Sequence, residues 1–321
     1  MTTASEPPIL DAQGVQKRFG AVVALRDARL TVRRGEVVAL MGANGAGKST
    51  FVKILTGALR PDGGTVRLRG KEARISTPAA ARRAGMIPVY QEPSLIPDLD
   101  VADNLRLGDT PREPFLHWVS ELGVSGLRLD DRIRDLPLAS LRILDLARAL
   151  AAEPDLLMLD EMTAALPTNL VERVLRVVRA QADAGRAVIY ISHRFPEIAA
   201  LCDRATVLRD GVTVGDLPIE PGVEDRAVEL MLGAALTRQA ARVAGEARPA
   251  PSGPARVKVS DLAVGSKLGP VSLELQPGEV LGVVGLEGQG QEELFEALGG
   301  LRRATGGTIE VEGRRQVFRH P

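Results

Sequence analysis

The feature that most constrains this chain is a glycine-rich segment placed directly after a run of apolar residues. The apolar run is Val37–Met41, and the segment that follows reads Gly42-Ala43-Asn44-Gly45-Ala46-Gly47-Lys48-Ser49-Thr50. An apolar run of this length is typical of a strand that is buried on both faces of a parallel sheet. Residues 50–55 then carry apolar side chains at helical spacing. The order of strand, glycine-rich turn and helix predicts a phosphate-binding loop.

Each residue type in this segment suits the binding of phosphate groups. Glycines let the backbone turn tightly and direct N–H groups at phosphate oxygens, and the start of a helix favours negative charge. We expect Lys48 to reach the β- and γ-phosphates of a nucleotide and Ser49 to ligate Mg²⁺. A flexible glycine-rich turn is the alternative, and the Lys-Ser-Thr ending argues against it. The residues predicted to contact the nucleotide here are Gly42, Ala43, Asn44, Gly45, Ala46, Gly47, Lys48, Ser49 and Thr50.

Two further apolar runs end in polar residues. Residues 156–159 are followed by Asp160 and Glu161, and residues 187–191 are followed shortly by His193. Ligands of α/β folds bind at the carboxyl ends of the strands. We therefore predict that Asp160 holds Mg²⁺, that Glu161 polarises an attacking water, and that His193 faces the same site. A solvated strand end and an ordinary loop histidine are the alternatives.

The wider pattern predicts an α/β fold. Helical spacing at residues 138–152 and 169–184 alternates with the strand-like runs, and residues 95–135, rich in Asp, Pro and Arg, are read as a mostly helical insert. The hydrophobic share of 45% is enough for a sizeable core. Lys plus Arg and Asp plus Glu both number 41, which argues against a general nucleic-acid binder.

Cysteine usage and hydropathy bear on the cellular compartment that we expect for this chain. The single cysteine, Cys202, cannot form an internal disulfide, which fits a reducing compartment. Residues 1–8 are polar and lack the apolar core of a signal peptide, so we expect none there. No run of about 18 apolar residues is present to span a bilayer. We expect any membrane association to go through a partner.

The sequence repeats itself at an offset of 243 residues. Gly35, Gly42, Gly47, Gly64 and Gly70 recur as Gly278, Gly285, Gly290, Gly307 and Gly313. The repeat follows a segment rich in Ala, Arg, Gly and Pro, which is the composition of a linker. We predict a first domain at 1–235, a linker at 236–256 and the beginning of a second copy at 257–321. The chain is expected to stop about a third of the way into that copy.

Together these motifs resemble the ATPases of ABC transporters. The phosphate loop, Gln91 within Val89–Glu92, the pair Asp160-Glu161 and the segment Ile191–Arg194 occur in that family's order. Within the family, the chain is similar to the tandem-domain ATP-binding subunits of bacterial monosaccharide importers of the ribose, xylose and galactose type. The segments that carry this narrower resemblance are Val15–Gly20, Val89–Glu92, Thr163–Leu166, Cys202–Arg204 and Val207–Gly211.

The resemblance implies a fold and a set of roles. The fold would be a P-loop NTPase domain with a mixed sheet core, an antiparallel β subdomain and a helical insert, followed by a partial second copy. Lys48, Gln91, Glu161 and His193 would be catalytic. Ser49, Gln91 and Asp160 would hold the metal. Phe19 would stack on the adenine, as aromatic side chains do with bases.

The resemblance also implies a function, which is ATP hydrolysis that drives uptake of a monosaccharide. ATP and Mg²⁺ would be the cofactors. The partners would be membrane permease subunits, a periplasmic or lipid-anchored sugar-binding protein, and a second ABC domain or a second copy of the chain. The protein would lie at the cytoplasmic face of the membrane. An ATP-binding regulatory or scaffold protein with little turnover is the alternative, and nothing indicates a nucleic-acid partner.

Two segments depart from the family pattern. The signature motif, usually Leu-Ser-Gly-Gly-Gln, reads Leu136-Pro137-Leu138-Ala139-Ser140, which replaces a hydroxyl group with proline. The second phosphate loop has Gln291 and Glu292 in place of the lysine and serine. Both changes weaken the interaction with phosphate groups. We expect this chain to bind Mg-ATP but to hydrolyse it slowly without an intact second domain.

Overall fold

The computed structural model describes residues 6–73, 75–164, 166–233, 253–265, 267–284 and 289–316. The chain divides into two compact units, Met1–Ala241 and Arg242–Pro321. Most of the predicted linker, Ala165 of the Thr163–Leu166 motif, and residues 285–288 of the second phosphate loop lie outside the described residues. The predicted boundaries at 235 and 256 therefore stay predictions.

Unit 1 contains a ten-stranded sheet with the order β5-β4-β1-β2-β10-β9-β3-β8-β7-β6. Its strands are β1 (Leu10–Phe19), β2 (Val22–Val32), β3 (Val37–Met41), β4 (Gly63–Leu68), β5 (Lys71–Glu72), β6 (Met86–Val89), β7 (Leu156–Asp160), β8 (Ala187–Ile191), β9 (Arg204–Arg209) and β10 (Val212–Pro218). The five strands β9, β3, β8, β7 and β6 are adjacent and run parallel.

Burial on both faces explains why the parallel strands read as continuous apolar runs. In β3, the side chains of Val37, Ala39 and Met41 belong to one hydrophobic core. The side chains of Val38 and Leu40 point to the opposite face and belong to a second core. Successive side chains of a strand point to opposite faces, so every position of β3 must be apolar.

The helices of unit 1 cover this sheet. They are α1 (Lys48–Leu55), α2 (Pro78–Arg83), α3 (Val101–Leu107), α4 (Arg112–Glu121), α5 (Leu138–Ala151), α6 (Thr168–Asp183), α7 (Phe195–Leu201) and α8 (Val223–Leu232). The start of α3 is capped by Asp100, whose carboxylate accepts a hydrogen bond of 2.7 Å from the backbone N–H of Asp103. Among the described residues, no helix combines the length and the apolar character that crossing a bilayer requires.

The predicted architecture of unit 1 is confirmed. Strands β1, β2, β4 and β5 pair antiparallel and form the β subdomain. Helices α3 and α4, together with a short 3-10 helix at Ile133–Asp135, form the insert that the sequence predicts at residues 95–135. The parallel strands and the antiparallel strands belong to one mixed sheet.

Unit 2 repeats the antiparallel part of unit 1. Its elements are β11 (Val257–Val264), β12 (Leu268–Leu275), α9 (Gln291–Leu298), β13 (Gly306–Val311) and β14 (Arg314–Gln316). The strand order β12-β11-β13-β14 corresponds to β2-β1-β4-β5, and the bounds of α9 and β13 lie 243 residues after those of α1 and β4. A separate small core includes Val259, Leu262 and Leu294.

One segment of unit 2 differs from its counterpart. Residues 280–284 correspond to β3 at the repeat offset, but they form no strand, and Val280 and Val284 are 80% and 97% exposed. In unit 1, β3 is hydrogen-bonded between β9 and β8. The described part of unit 2 holds no counterpart of either neighbour, so the backbone of residues 280–284 has no strand to pair with.

Removal of a buried side chain tests how much the packing of helix α1 stabilises unit 1. Phe51 of α1 is fully buried, so we expect Phe51→Ala to lower the free energy of unfolding by about 3–5 kcal/mol. Phe19, which is 47% exposed, is the matched control, and Phe19→Ala should cost less than about 1 kcal/mol. Denaturant titration followed by the fluorescence of Trp118, the single tryptophan, reports on unit 1. Equal losses in the two variants would contradict this packing.

Candidate functional site

The parallel strands bring four loops to one edge of the sheet. Strands β3, β8, β7 and β6 are neighbours and run in the same direction, so their carboxyl ends meet. The loop after β3 is the phosphate loop (Gly42–Thr50), and the loops after the other three strands carry His193, Glu161 and Gln91. Because these residues follow the last buried position of each strand, their polar groups leave the core at a common edge.

Close packing explains why two positions of the phosphate loop are glycine. Gly47 immediately precedes α1 and has φ 104°, a left-handed conformation that side chains rarely adopt. A Cβ atom on Gly47 would lie 2.7 Å from the carbonyl oxygen of Ala24. A Cβ atom on Gly42 would lie 2.4 Å from the carbonyl oxygen of Leu208. The loop is therefore held against β2 and β9 with no room for side chains at these positions.

A hairpin turn supports the phosphate loop from outside. Gly211, between β9 and β10, donates its N–H to the carbonyl oxygen of Ala46 at 3.1 Å. Its own carbonyl accepts hydrogen bonds from the N–H groups of Arg26 and Asp27 at 2.8 and 3.1 Å. Gly211 has φ 76°, and a Cβ atom there would lie 2.7 Å from the carbonyl oxygen of Ala24. One turn thus joins the phosphate loop to β2.

The ammonium group of Lys48 lies inside the loop. Its Nζ donates hydrogen bonds to the carbonyl oxygens of Gly42 at 2.7 Å and Ala43 at 3.2 Å. Burial lowers the pKa of Lys48, and the nearby carboxylates of Glu161 and Asp160 oppose that shift. The ammonium is therefore a partly desolvated cation, which attracts an anion more strongly than a solvated one does.

Two carboxylates face this ammonium from the end of β7. Burial raises the pKa of Asp160, the negative charge of Glu161 raises it further, and Lys48 and Lys53 oppose the shift. Glu161 has φ 46°, a left-handed conformation that is uncommon for this residue type. Its N–H donates to the carbonyl oxygen of Ile191 at 2.9 Å, so the loop after β7 is bonded to the end of β8.

His193 reaches Glu161 across the gap between β7 and β8. The imidazole Nδ1 lies 3.5 Å from Oε1 of Glu161, and the side chain of His193 is 67% exposed. The ring is therefore beside the carboxylate and open to solvent. This geometry allows a histidine to approach a group that is bound next to Glu161.

Two adjoining depressions contain nearly all the predicted site residues. The larger, of about 490 Å³, is lined by Val22, Val23, Ala24, Asn44, Gly45, Ala46, Gly47, Lys48, Ser49, Thr50, Gln91, Asp160 and Glu161. The second, of about 370 Å³, adds Gly42, Ser192, His193 and Arg194 and shares Asn44, Lys48 and Glu161 with the first. Phe19 lines neither of them. It lies at the exposed end of β1, where Lys17 Nζ is 5.7 Å from the centre of its ring.

Known proteins are similar to this chain in sequence or in fold. Residues 25–164 match the family described as ABC transporter. Residues 25–164 are an ABC transporter domain. The chain is also 39% identical to Ribose import ATP-binding protein RbsA 1 of Rhizobium johnstonii and 38% identical to Ribose import ATP-binding protein RbsA 2 of Escherichia coli O157:H7. Each alignment covers 98% of this chain and 63% of the relative, so the chain spans less than two thirds of their length.

Solved structures show the same fold as the ABC transporter domain. A nucleotide-free ATP-binding cassette from an ABC transporter matches with a TM-score of 0.63 and 23% identity, over 70% of this chain and 99% of that chain. The ADP conformation of another such cassette matches with a TM-score of 0.62 and 24% identity, over the same shares. The predicted P-loop NTPase fold is therefore confirmed.

Sequence reasoning missed two buried residues of unit 1 that contact the loops of the site. Arg142 of α5 is buried and donates from Nη1 to the carbonyl oxygens of Glu161 at 2.9 Å and Met162 at 3.1 Å. Glu197 of α7 is also buried, and it accepts hydrogen bonds from the loop that carries Glu161 and from the loop that carries His193. Neither residue is part of a local motif, so only the packing of distant segments could reveal them.

The charge state of Asp160 gives a stability test. Its folded-state pKa is raised, so the ionised carboxylate destabilises the fold at neutral pH. We expect Asp160→Asn to raise the free energy of unfolding at pH 7. The gain should shrink as the pH is lowered toward and then below 3.8, because Asp160 then becomes protonated in both the folded and the unfolded state. Denaturant titrations at several pH values measure this. A variant that is less stable than the parent at pH 7 would contradict it.

Proposed function

We propose that unit 1 binds and hydrolyses Mg-ATP, as the ATP-binding part of a bacterial importer for a monosaccharide. The observation that supports this most directly is the meeting of four strand-end loops around the Lys48 ammonium. A phosphate chain placed over α1 would touch the backbone N–H groups of the loop, the ammonium and the carboxylate edge at once.

On binding the triphosphate, the loop residues would replace their present hydrogen-bond acceptors with phosphate oxygens. Lys48 now donates to Gly42 and Ala43, and phosphate oxygens would replace those carbonyls. The backbone N–H groups at the start of α1 have no side-chain cap, so phosphate oxygens would satisfy them. This set of donors binds phosphates without recognising the base.

The side chains around the loop also fit a magnesium ion. Ser49, Gln91 and Asp160 line one depression and offer a hydroxyl, an amide and a carboxylate oxygen. Mg²⁺ prefers such hard oxygen ligands and usually completes its shell with water and phosphate oxygens. When bound, the ion would neutralise charge on the phosphates. We assign the three side chains to this ion.

Glu161 and His193 would act on the reacting end of the phosphate chain. Glu161 lines both depressions beside Lys48, which places its carboxylate where it can orient and polarise a water molecule. His193 lies 3.5 Å from Glu161 and would donate a hydrogen bond to the terminal phosphate or to that water. Gln91 would contact the same region from the loop after β6.

The importer role is supported by the relatives. The proteins that share 38–39% identity with this chain are ATP-binding proteins for ribose import. We assign to this chain a membrane permease as partner, an indirect periplasmic or lipid-anchored sugar-binding protein, and a second ABC domain or a second copy of the chain. It would work at the cytoplasmic face of the membrane. The relatives do not favour the alternative of a regulatory or scaffold protein.

Unit 2 is unsuited to a second nucleotide. Helix α9 carries Glu292 and Glu293 in its first turn, whereas α1 has no acidic residue there. Glu293 is buried, and hydrogen bonding to its own backbone, followed by Lys267 and Arg302, lowers its pKa. The carboxylate is therefore ionised at neutral pH. It would repel a phosphate group at the start of α9.

Two substitutions separate binding from hydrolysis. Lys48→Ala should weaken Mg-ATP binding by roughly 10- to 100-fold, because a charged donor to the phosphates is lost. Glu161→Gln should keep the affinity but slow single-turnover hydrolysis by on the order of 10²- to 10⁴-fold, because the carboxylate no longer polarises water. Calorimetry and quenched-flow product analysis with the whole chain measure these two quantities.

The matched control for both is Lys71→Ala, since Lys71 is exposed on β5 and lines neither depression. Its affinity and rate should equal those of the parent. Full hydrolysis by the Lys48→Ala variant would disprove the proposed function.

The charge difference between α1 and α9 predicts the number of bound nucleotides. We expect calorimetric titration with Mg-ATP to saturate at one nucleotide per chain, and the Lys48→Ala variant to bind roughly 10- to 100-fold more weakly at that one site. Reversal of the acidic turn by Glu292→Ser and Glu293→Thr serves as a comparison and should not weaken the first site. A stoichiometry of two for the parent would contradict this assignment.

A further inference from the structure

A buried carboxylate outside the two depressions connects the loops that carry the proposed catalytic residues. Glu197 of α7 is only 5% exposed, yet it lines neither depression. Its Oε2 accepts hydrogen bonds from the hydroxyls of Tyr190 at 2.6 Å and Thr163 at 2.7 Å, and a longer one from Ser192 at 3.4 Å. Three hydroxyl groups thus share one carboxylate oxygen.

The donors come from different segments of the site. Thr163 lies two residues after Glu161, and Ser192 immediately precedes His193. Tyr190 lies in β8, and its hydroxyl is also 3.3 Å from that of Thr163. Ser192 accepts a hydrogen bond of 3.0 Å from the N–H of Arg194, which shapes the His193 loop. Glu197 therefore joins the Glu161 loop to the His193 loop.

The surroundings make these bonds stronger than similar bonds at the surface. Thr163, Tyr190 and Ser192 are all buried, and hydrogen bonds to an ionised group in such surroundings are stronger than those between neutral groups. Arg194 Nη1 lies 2.6 Å from the other carboxylate oxygen as an ion pair, although its alignment is not that of a hydrogen bond. Burial, followed by the hydrogen bond to Glu197, raises the pKa of Tyr190. The phenol thus keeps its proton and remains a donor.

We infer that Glu197 is a positioning residue, which fixes the distance between Glu161 and His193 by bonding to both of their loops. This inference rests on the proposed function, because it assigns Glu197 a role in the hydrolysis carried out by those two residues. The 3.5 Å contact between His193 and Glu161 crosses the gap between the same two loops. Glu197 acts through the loops and does not contact the nucleotide.

The sharpest test removes one hydroxyl without changing the shape of the core. Thr163→Val keeps the volume of the side chain and deletes its bond to Glu197. Single-turnover hydrolysis of Mg-ATP by the whole chain should slow by roughly tenfold, the size expected for loss of one hydrogen bond to a charged group. The affinity for Mg-ATP should not change, because Thr163 lines neither depression.

Two further variants separate positioning from simple stability. Thr163→Ser restores the hydroxyl and should restore the rate. Thr110→Val is the matched control, because Thr110 is a buried threonine between α3 and α4 that lines neither depression. It should leave the rate unchanged. In the double variant with Glu197→Gln, the Thr163→Val substitution should cause no further loss, because coupled residues are not additive.

A readout independent of activity keeps the inference separate from the proposed function. The imidazole resonance of His193, assigned by its loss in a His193→Gln variant, should shift in Thr163→Val and not in Thr110→Val. If the parent chain neither bound nor hydrolysed Mg-ATP, the proposed function would fail while this resonance still tested the link. An unshifted His193 resonance in Thr163→Val, or an unchanged rate, would overturn the role of Glu197.

Discussion

The burial of both faces of the parallel strands controls where polar chemistry can occur in unit 1. Strands β3, β7 and β8 have apolar side chains on both faces. Along each strand, successive side chains belong alternately to the two hydrophobic cores of unit 1. A charged side chain inside these strands would lose its hydration without gaining a partner. The polar residues are therefore displaced to the strand ends, and parallel alignment gathers those ends at one edge. The location of the candidate site follows from the composition of its strands.

The electrostatics of that edge follow from the same burial. Lys48 and Asp160 are partly removed from water, and burial lowers the pKa of Lys48 and raises the pKa of Asp160. Lys48 and Lys53 partly offset the charge of the two carboxylates at the end of β7, and a divalent cation would offset it further. A bound metal ion would also offset the negative charge that a phosphate chain adds at this edge.

Sequence reasoning located the parts of this arrangement that are encoded locally. Lys48, Asp160 and His193 follow apolar runs, and such runs identify buried strands without any alignment. Glu197 could not be found in this way, because its partner Thr163 is 34 residues distant in sequence and the contact exists only after folding. The position of Phe19 depends on the register of β1 and β2, which shifts three times along the pair, and its stacking on adenine stays a prediction. Residues 280–284 correspond to β3 at the repeat offset but form no strand, because a strand also requires neighbouring strands.

The turn at Gly211 has a consequence for the tolerance of this fold to change. A hairpin turn at a sheet end is ordinarily a place where insertions and tags do little harm. Here the N–H and the carbonyl of one turn residue bond to two different segments, Ala46 and Arg26–Asp27. Lengthening this turn would therefore disturb the hydrogen bond that supports the phosphate loop, although the two segments are more than 160 residues apart in the sequence. Libraries that vary loop lengths should recover few functional members at this hairpin, even though its sequence resembles that of an ordinary connector.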